Sequence, residues 1–151
     1  RAEETPLLQE DQPKPDLGFK VSKYTTSNFK PWKVLQEGNI DTVTSLFDGQ
    51  SDSLVPGWKK EDLLNEILLL EGFPLTSKIT YLEDNLQNQV YRVTAPDFCD
   101  HDLFVCLDEV IRQTTIGMLK IENEDIFICL DSALSDEVKA RVQDKFNVHV
   151  I

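Results

Sequence analysis

The sequence predicts an α/β fold: a mixed sheet with an antiparallel hairpin arm and a C-terminal parallel βαβαβ unit. Three observations predict it. First, Leu103-Phe104-Val105-Cys106-Leu107 and Ile126-Phe127-Ile128-Cys129-Leu130 are continuous apolar runs, each closed by an aspartate, Asp108 and Asp131. A strand needs that pattern when both of its faces are covered, as in a parallel sheet flanked by helices. Second, a third short run, Val148-His149-Val150-Ile151, follows, and the intervening segments are long enough for helical crossovers. Third, Leu75 to Tyr81 and Gln89 to Thr94 alternate loosely around Asp84-Asn85, which reads as a hairpin. The likeness of the two pentapeptides needs no repeat architecture, because two buried strands select the same aromatic, β-branched and small apolar residues.

Residues 1–16 carry Pro6, Pro13 and Pro15 among Glu, Gln and Asp, which predicts a linker or disordered arm, with one α/β domain over 17–151. Leu17 to Tyr24 alternates through Phe19 and Val21 and predicts a half-buried strand. Thr25-Thr26-Ser27-Asn28 is turn chemistry, and Phe29 and Trp32 around Pro31 read as a plug at a core edge. Ile40, Val43 and Phe47 fit a short helix over Asn39 to Phe47, and Gly49 to Gly57 a loop.

The clearest helix is Lys59 to Glu71. Leu63, Leu64, Ile67, Leu68 and Leu70 make its apolar face, and Glu61 and Asp62 complement its first turn. Gly72 takes the left-handed position after it, Phe73 folds back toward Leu68, and Pro74 forbids continuation. Leu69 makes the end apolar all round, predicting deep burial or a partner. A weaker helix is expected from Glu109 to Lys120, with Val110, Thr114, Gly117 and Ile121 on one face. The last helix starts at an N-cap, Ser135, with Val138, Val142 and Phe146 as its seam and Asn147 as a left-handed exit.

Composition narrows the function classes. The chain has 151 residues, 40% hydrophobic and 28% charged, enough for one domain with a real core. No apolar run approaches a bilayer-spanning length of about 20 residues, so no membrane partner is expected. The start is polar and not Met, which points to a fragment without a signal peptide. Three cysteines, Cys99, Cys106 and Cys129, two of them inside strand patterns, fit buried free thiols in a reducing, cytoplasmic compartment. A net charge of −12 argues against nucleic-acid binding by the whole surface. One local exception exists: Lys14, Lys20, Lys23, Lys30 and Lys33 stand against the single acid Asp16, interleaved with Phe19, Tyr24, Phe29 and Trp32. Its ordinary reading is a solvated strand edge whose lysines deter pairing; its functional reading is contact with a DNA backbone by Lys20, Lys23, Lys30 and Lys33.

Two further sets of residues carry possible chemistry. Cys99-Asp100-His101-Asp102 has metal-ligand types without the usual spacing, and reads as a polar loop. Asp108 and Asp131 end two expected parallel strands, where carboxylates can hold magnesium for phosphoryl transfer. No glycine-rich loop, P-loop or dinucleotide fingerprint accompanies them, so N-capping of the following helices is the plainer reading. A free-standing interaction domain is a further alternative.

The residues also resemble a family. Asp16-Leu17-Gly18-Phe19-Lys20-Val21, Thr26-Ser27-Asn28-Phe29-Lys30 and Trp32 look like the segment after the catalytic domain in the methylation subunits of type III restriction–modification systems, which are bacterial DNA adenine-N6 methyltransferases. Asp62-Leu63-Leu64-Asn65-Glu66-Ile67-Leu68-Leu69 with Glu71-Gly72-Phe73-Pro74-Leu75-Thr76 is similar to the family's leucine-rich helix and its exit. Tyr91-Arg92-Val93, Phe104 to Asp108 and Ile128 to Asp131 follow in the family's order. The family's Asp-Pro-Pro-Tyr and Phe-x-Gly-x-Gly elements are absent from this sequence, so no catalytic, cofactor-binding or metal-binding residue carries over. The resemblance implies a C-terminal portion of such a subunit, with S-adenosylmethionine as cofactor of the parent protein. It also implies a dimer of methylation subunits, a restriction subunit as partner, and DNA reached through the assembly.

Overall fold

The computed structural model describes residues 18–31, 53–82, 86–145 and 147–151. The expected linker over 1–16, the short helix over 39–47, and Trp32, Lys33 and Phe146 lie outside them. The elements run α1 (Lys60–Leu70), β1 (Lys78–Leu82), β2 (Val90–Thr94), β3 (Leu103–Cys106), α2 (Gln113–Met118), β4 (Ile126–Cys129), a 3₁₀ turn (Asp131–Ala133), α3 (Asp136–Gln143) and β5 (Asn147–Val150). The strands form one sheet in the order β1-β2-β3-β4-β5, each beside its neighbour in sequence. β1, β2 and β3 pair antiparallel, and β3, β4 and β5 pair parallel, which is the mixed α/β sheet expected from the apolar runs.

Register assigns the faces, because paired residues share one. Val105, Ile128 and His149 align on one face, and Phe104, Phe127 and Val148 on the other. His149 Nδ1 lies 3.1 Å from Glu71 Oε1 at the end of α1, so α1 covers the first face. On the other face Phe104, Cys106, Phe127 and Cys129 are just as buried, and the crossover segments carrying α2 and α3 supply that cover. Leu63, Leu64, Ile67 and Leu68 of α1 are buried, each contributing about 1.5–3 kcal/mol of hydrophobic stabilisation. Arg92 adds a smaller piece of cover: its guanidinium lies 5.8 Å from the Phe104 ring centroid and also grips Asp102.

The exit of α1 follows the expected chemistry. Gly72 has φ 82°, its N–H bonds Leu69 O at 3.2 Å, and the Phe73 N–H reaches back to Leu68 O at 2.7 Å. This pair of bonds is the Schellman motif, and it drives Phe73 into the core. Of the two outcomes expected at Leu69, deep burial is not found: Leu69 is 58% exposed, and Leu70, expected on the buried apolar face, is 67% exposed.

Other departures have physical causes. Residues 18–24 form no strand and all seven are exposed, because none of the five strands of the sheet takes them as a partner. The helix expected from Glu109 begins only at Gln113. The Arg112 N–H, which a helix from Glu109 would turn back to the Asp108 carbonyl, is taken instead by Asn88 Oδ1, so the first helical turn does not close there. Its buried seam is Ile111, Thr115, Ile116 and Leu119, while Val110, Thr114 and Gly117 face out. Ser135 occupies the N-cap position of α3 but makes no side-chain cap bond. Asn147 is the first residue of β5 rather than a left-handed exit. Asp108 and Asp131 cap no helix: the N-cap positions are Arg112 and Leu130. Among the described residues, no helix is long and apolar enough to cross a membrane.

Candidate functional site

Two polar constellations stand out, one along the outer side of α1 and one at its start. The first is an arm, residues 18–31, lying across the outer side of the helix. Its anchor is Glu66, whose Oε1 accepts the Ser27 hydroxyl at 2.5 Å and whose Oε2 accepts the Asn28 N–H at 2.8 Å and the Asn28 side-chain amide at 2.9 Å. Burial alone would raise the Glu66 carboxyl; these hydrogen bonds outweigh it and hold the carboxyl below its ordinary value. Ser27 Oγ also accepts the Phe29 N–H at 3.0 Å, the local turn that its short hydroxyl favours. Beyond the turn, the Lys30 N–H bonds Ser53 O and the Val55 N–H bonds Asn28 O, so Phe29 and Leu54 form an isolated antiparallel bridge. Phe29 packs on the core edge, as its sequence context suggests.

Before the anchor the arm is held much less. Lys20 Nζ donates to Leu75 O at 2.7 Å. Phe19, Val21 and Tyr24 are 89%, 80% and 101% exposed. An open groove of about 530 Å³ runs between this stretch and α1, lined by Lys20, Lys23 and Tyr24 on one side and Asp62, Glu66 and Leu69 on the other. Of the four lysines expected to touch DNA, Lys20 and Lys23 share this groove, Lys30 sits past the anchor outside its lining, and Lys33 is outside the described residues.

The second constellation surrounds Asp108. Lys60 Nζ donates to Asp108 Oδ1 at 2.6 Å, while the Asn88 amide (3.0 Å) and the Gln89 N–H (2.9 Å) donate to Oδ2. Burial would raise this carboxyl, but the bonds from Lys60, Asn88 and Gln89, together with the Lys60 charge, hold it below its ordinary value. Asn88 is nearly fully buried and uses its whole hydrogen-bonding capacity. Its amide nitrogen also donates to Val110 O, and its Oδ1 accepts the Arg112 N–H and the buried Thr115 hydroxyl. The network joins the start of α1, the residues before β2, the end of β3 and the first turn of α2.

Asp131 is different: its side chain is more than half exposed and pairs with Lys139 at 2.7 Å. Both of the carboxylates considered for magnesium therefore carry a lysine, and both oxygens of Asp108 already accept bonds. Among the described residues, no group of three or more His, Cys, Asp or Glu could hold a metal ion. In the 99–102 loop, His101 packs edge-on against Phe73, with ring centroids 5.5 Å apart, and the Asp102 N–H bonds Asp125 Oδ1 at 2.8 Å. Cys106 and Cys129 are adjacent in the parallel register and fully buried. Burial pushes their thiols up to about 11 and about 12, so they remain protonated and unreactive.

Sequence patterns could not have singled out Glu66 or Asn88. Glu66 looks like any polar position on the outer side of a helix, and Asn88 like a turn residue beside a hairpin. No protein-family model, curated protein or solved structure matches this chain.

Proposed function

We propose that this chain is a non-catalytic C-terminal assembly or DNA-positioning module of a type III restriction–modification methylation subunit. Its parent would be an S-adenosylmethionine-dependent DNA adenine-N6 methyltransferase of the bacterial cytoplasm. Its partners would be a second methylation subunit, a restriction subunit and, through the assembly, DNA. The observation that carries the reading is the arm. Residues 18–31 hold three lysines and no acid in a chain of net charge −12, and they are pinned to α1 at Ser27 and Asn28. That arrangement presents a cationic, partly aromatic strip on a rigid support. An acidic chain keeps its bulk away from phosphate and leaves such a strip to make the contact.

The test replaces Lys23 and Lys30 with Gln in the complete methylation subunit and measures DNA binding across a salt series. Each lysine that touches a phosphate lowers the salt slope by about 1 when lost, and weakens binding similarly on all sequences. An unchanged slope assigns these lysines to solvent. Loss on the cognate site alone means base readout instead. The phosphoryl-transfer reading is less favoured, because magnesium at Asp108 must displace Lys60 from a 2.6 Å ion pair.

A further inference from the structure

We infer that the free edge of β5 is a self-association surface, where a second copy of this chain adds its own β5 antiparallel and continues the sheet across a two-fold axis. The inference rests on β5 and α3, and needs neither the arm nor the family reading. β5 is as long as β3 and β4, and among the described residues it pairs on one side alone, with β4. The Ile151 N–H donates to Cys129 O at 3.0 Å and Ile151 O accepts the Asp131 N–H at 2.8 Å, so Ile151 turns both backbone groups toward β4. Backbone direction alternates along a strand, which turns the N–H and C=O of Val148 and Val150 outward. Such an edge is a template for pairing, and proteins ordinarily blunt it with lysine, proline, a bulge or a very short strand. The outer strand at the other side of the sheet, β1, carries the exposed Lys78, whereas Asn147-Val148-His149-Val150-Ile151 holds no lysine, proline or acid.

The helix beside the edge identifies the occupant. Lys139 bonds Asp131 at the end of β4, so that flank of α3 looks toward β4. Two residues further on is about 200° around a helix, which puts Arg141 on the opposite flank, beside the free edge. Glu137 and Lys145 share its row at four-residue spacing, and all three are exposed and without an ion-pair partner among the described residues. Asp144 stands next to Lys145, which leaves that end of the row with one net positive charge. The row is therefore negative at the start of α3 and positive at its end. A two-fold axis at the β5 edge sets the two α3 helices antiparallel, so Glu137 of each copy meets the Arg141 and Lys145 end of the other. Centred on His149, the same pairing places Val148 of each copy opposite Val150 of the other. Their outward N–H and C=O groups then exchange hydrogen bonds, and Val150, 41% exposed, is covered by a valine. A row that complements itself fits a second copy of the chain.

The test follows the 151-residue chain by sedimentation equilibrium over a concentration series, and its amides by hydrogen exchange. A monomer–dimer equilibrium with a dissociation constant of about 100 µM or tighter is expected. The Val148 and Val150 amides should exchange more slowly as the dimer forms, while the Ile151 amide, already bonded to Cys129 O, should not change. Val150→Pro removes an outward N–H and none of the bonds to β4, and is expected to weaken the dimer at least about tenfold without altering circular dichroism. Two charge variants test the arrangement of the helices. Glu137→Lys makes the row wholly cationic, and Arg141→Glu with Lys145→Glu makes it wholly anionic. Each by itself should dimerise at least about tenfold more weakly than the parent chain, and an equimolar mixture of the two should form the heterodimer. A chain that stays monomeric through the series overturns the proposal. So does exchange at Val148 and Val150 that is slow at every concentration, which gives the edge to another segment of the same chain. A dimer that Val150→Pro leaves intact, or charge variants that each dimerise as the parent does, overturns it too. The salt series on Lys23 and Lys30 reads a different surface, so failure here leaves the reading of the arm standing.

Discussion

The Asp108 network and the Glu66 anchor use the same chemistry to opposite ends. Each is a carboxylate on or against α1 that accepts several hydrogen bonds, and each is held below its ordinary pKa by them. Around Asp108 and its partner Asn88 the network joins four segments of the chain and includes two buried side chains, Asn88 and Thr115. Around Glu66 they all belong to one turn of one arm. A polar group that joins several elements in a dry setting is expensive to disturb, because every partner it abandons stays buried. A polar group that pins one exposed segment can be lost with little effect on the rest, since water replaces it. The first arrangement builds the scaffold; the second displays something on it.

Breaking that contrast should have its largest effect at Asn88. Asn88→Ala takes one of three hydrogen bonds from Asp108 and leaves Val110 O, the Arg112 N–H and the Thr115 hydroxyl without their Asn88 partner at once. A loss of about 3 kcal/mol is expected, read from the urea midpoint at unchanged slope. A change under about 0.5 kcal/mol would remove the claim that this network joins the elements.

The next effect is one of pH. The folded-state pKa of Asp108 lies below the ordinary aspartate value of about 3.9, so its ion pair and hydrogen bonds contribute full stability above that value. The contribution is lost as pH falls through the folded pKa. Asp108→Asn should therefore destabilise the chain near neutrality, and its stability should fall less steeply than that of the parent chain at pH values below about 4. Parallel acid limbs for the two proteins in urea titrations at each pH would show that Asp108 is not a linked group.

The smallest global effect belongs to the arm. Glu66→Gln keeps one acceptor oxygen but gives up the charge, and should cost no more than about 1 kcal/mol. Its local effect should be larger than its global one. The Asn28 and Phe29 amides, and the cleavage sites around them, should open to exchange and protease well before the sheet does. Equal acceleration across β3 and β4 would place the arm in the scaffold and erase the distinction.

The sequence by itself determined the sheet. Runs such as Phe104 to Leu107 and Phe127 to Leu130 are apolar on every residue, and only a strand covered on both faces satisfies such a run at that length. It also determined the end of α1, because a glycine in the left-handed region followed by Phe73 and Pro74 leaves the backbone one economical exit. These are local rules, in which a residue and its near neighbours settle the outcome. What only the tertiary structure decided is where the backbone donors went. α2 begins four residues late because Asn88, 24 positions away, takes the Arg112 N–H that the first helical turn would use. The alternation of residues 19–21 fits a strand, yet those residues stay unpaired, because a strand is a relation between two segments and alternation describes only one. Glu66 and Asn88 escaped notice for the same reason: a carboxylate or amide acquires its role from the donors that the fold brings to it across tens of residues.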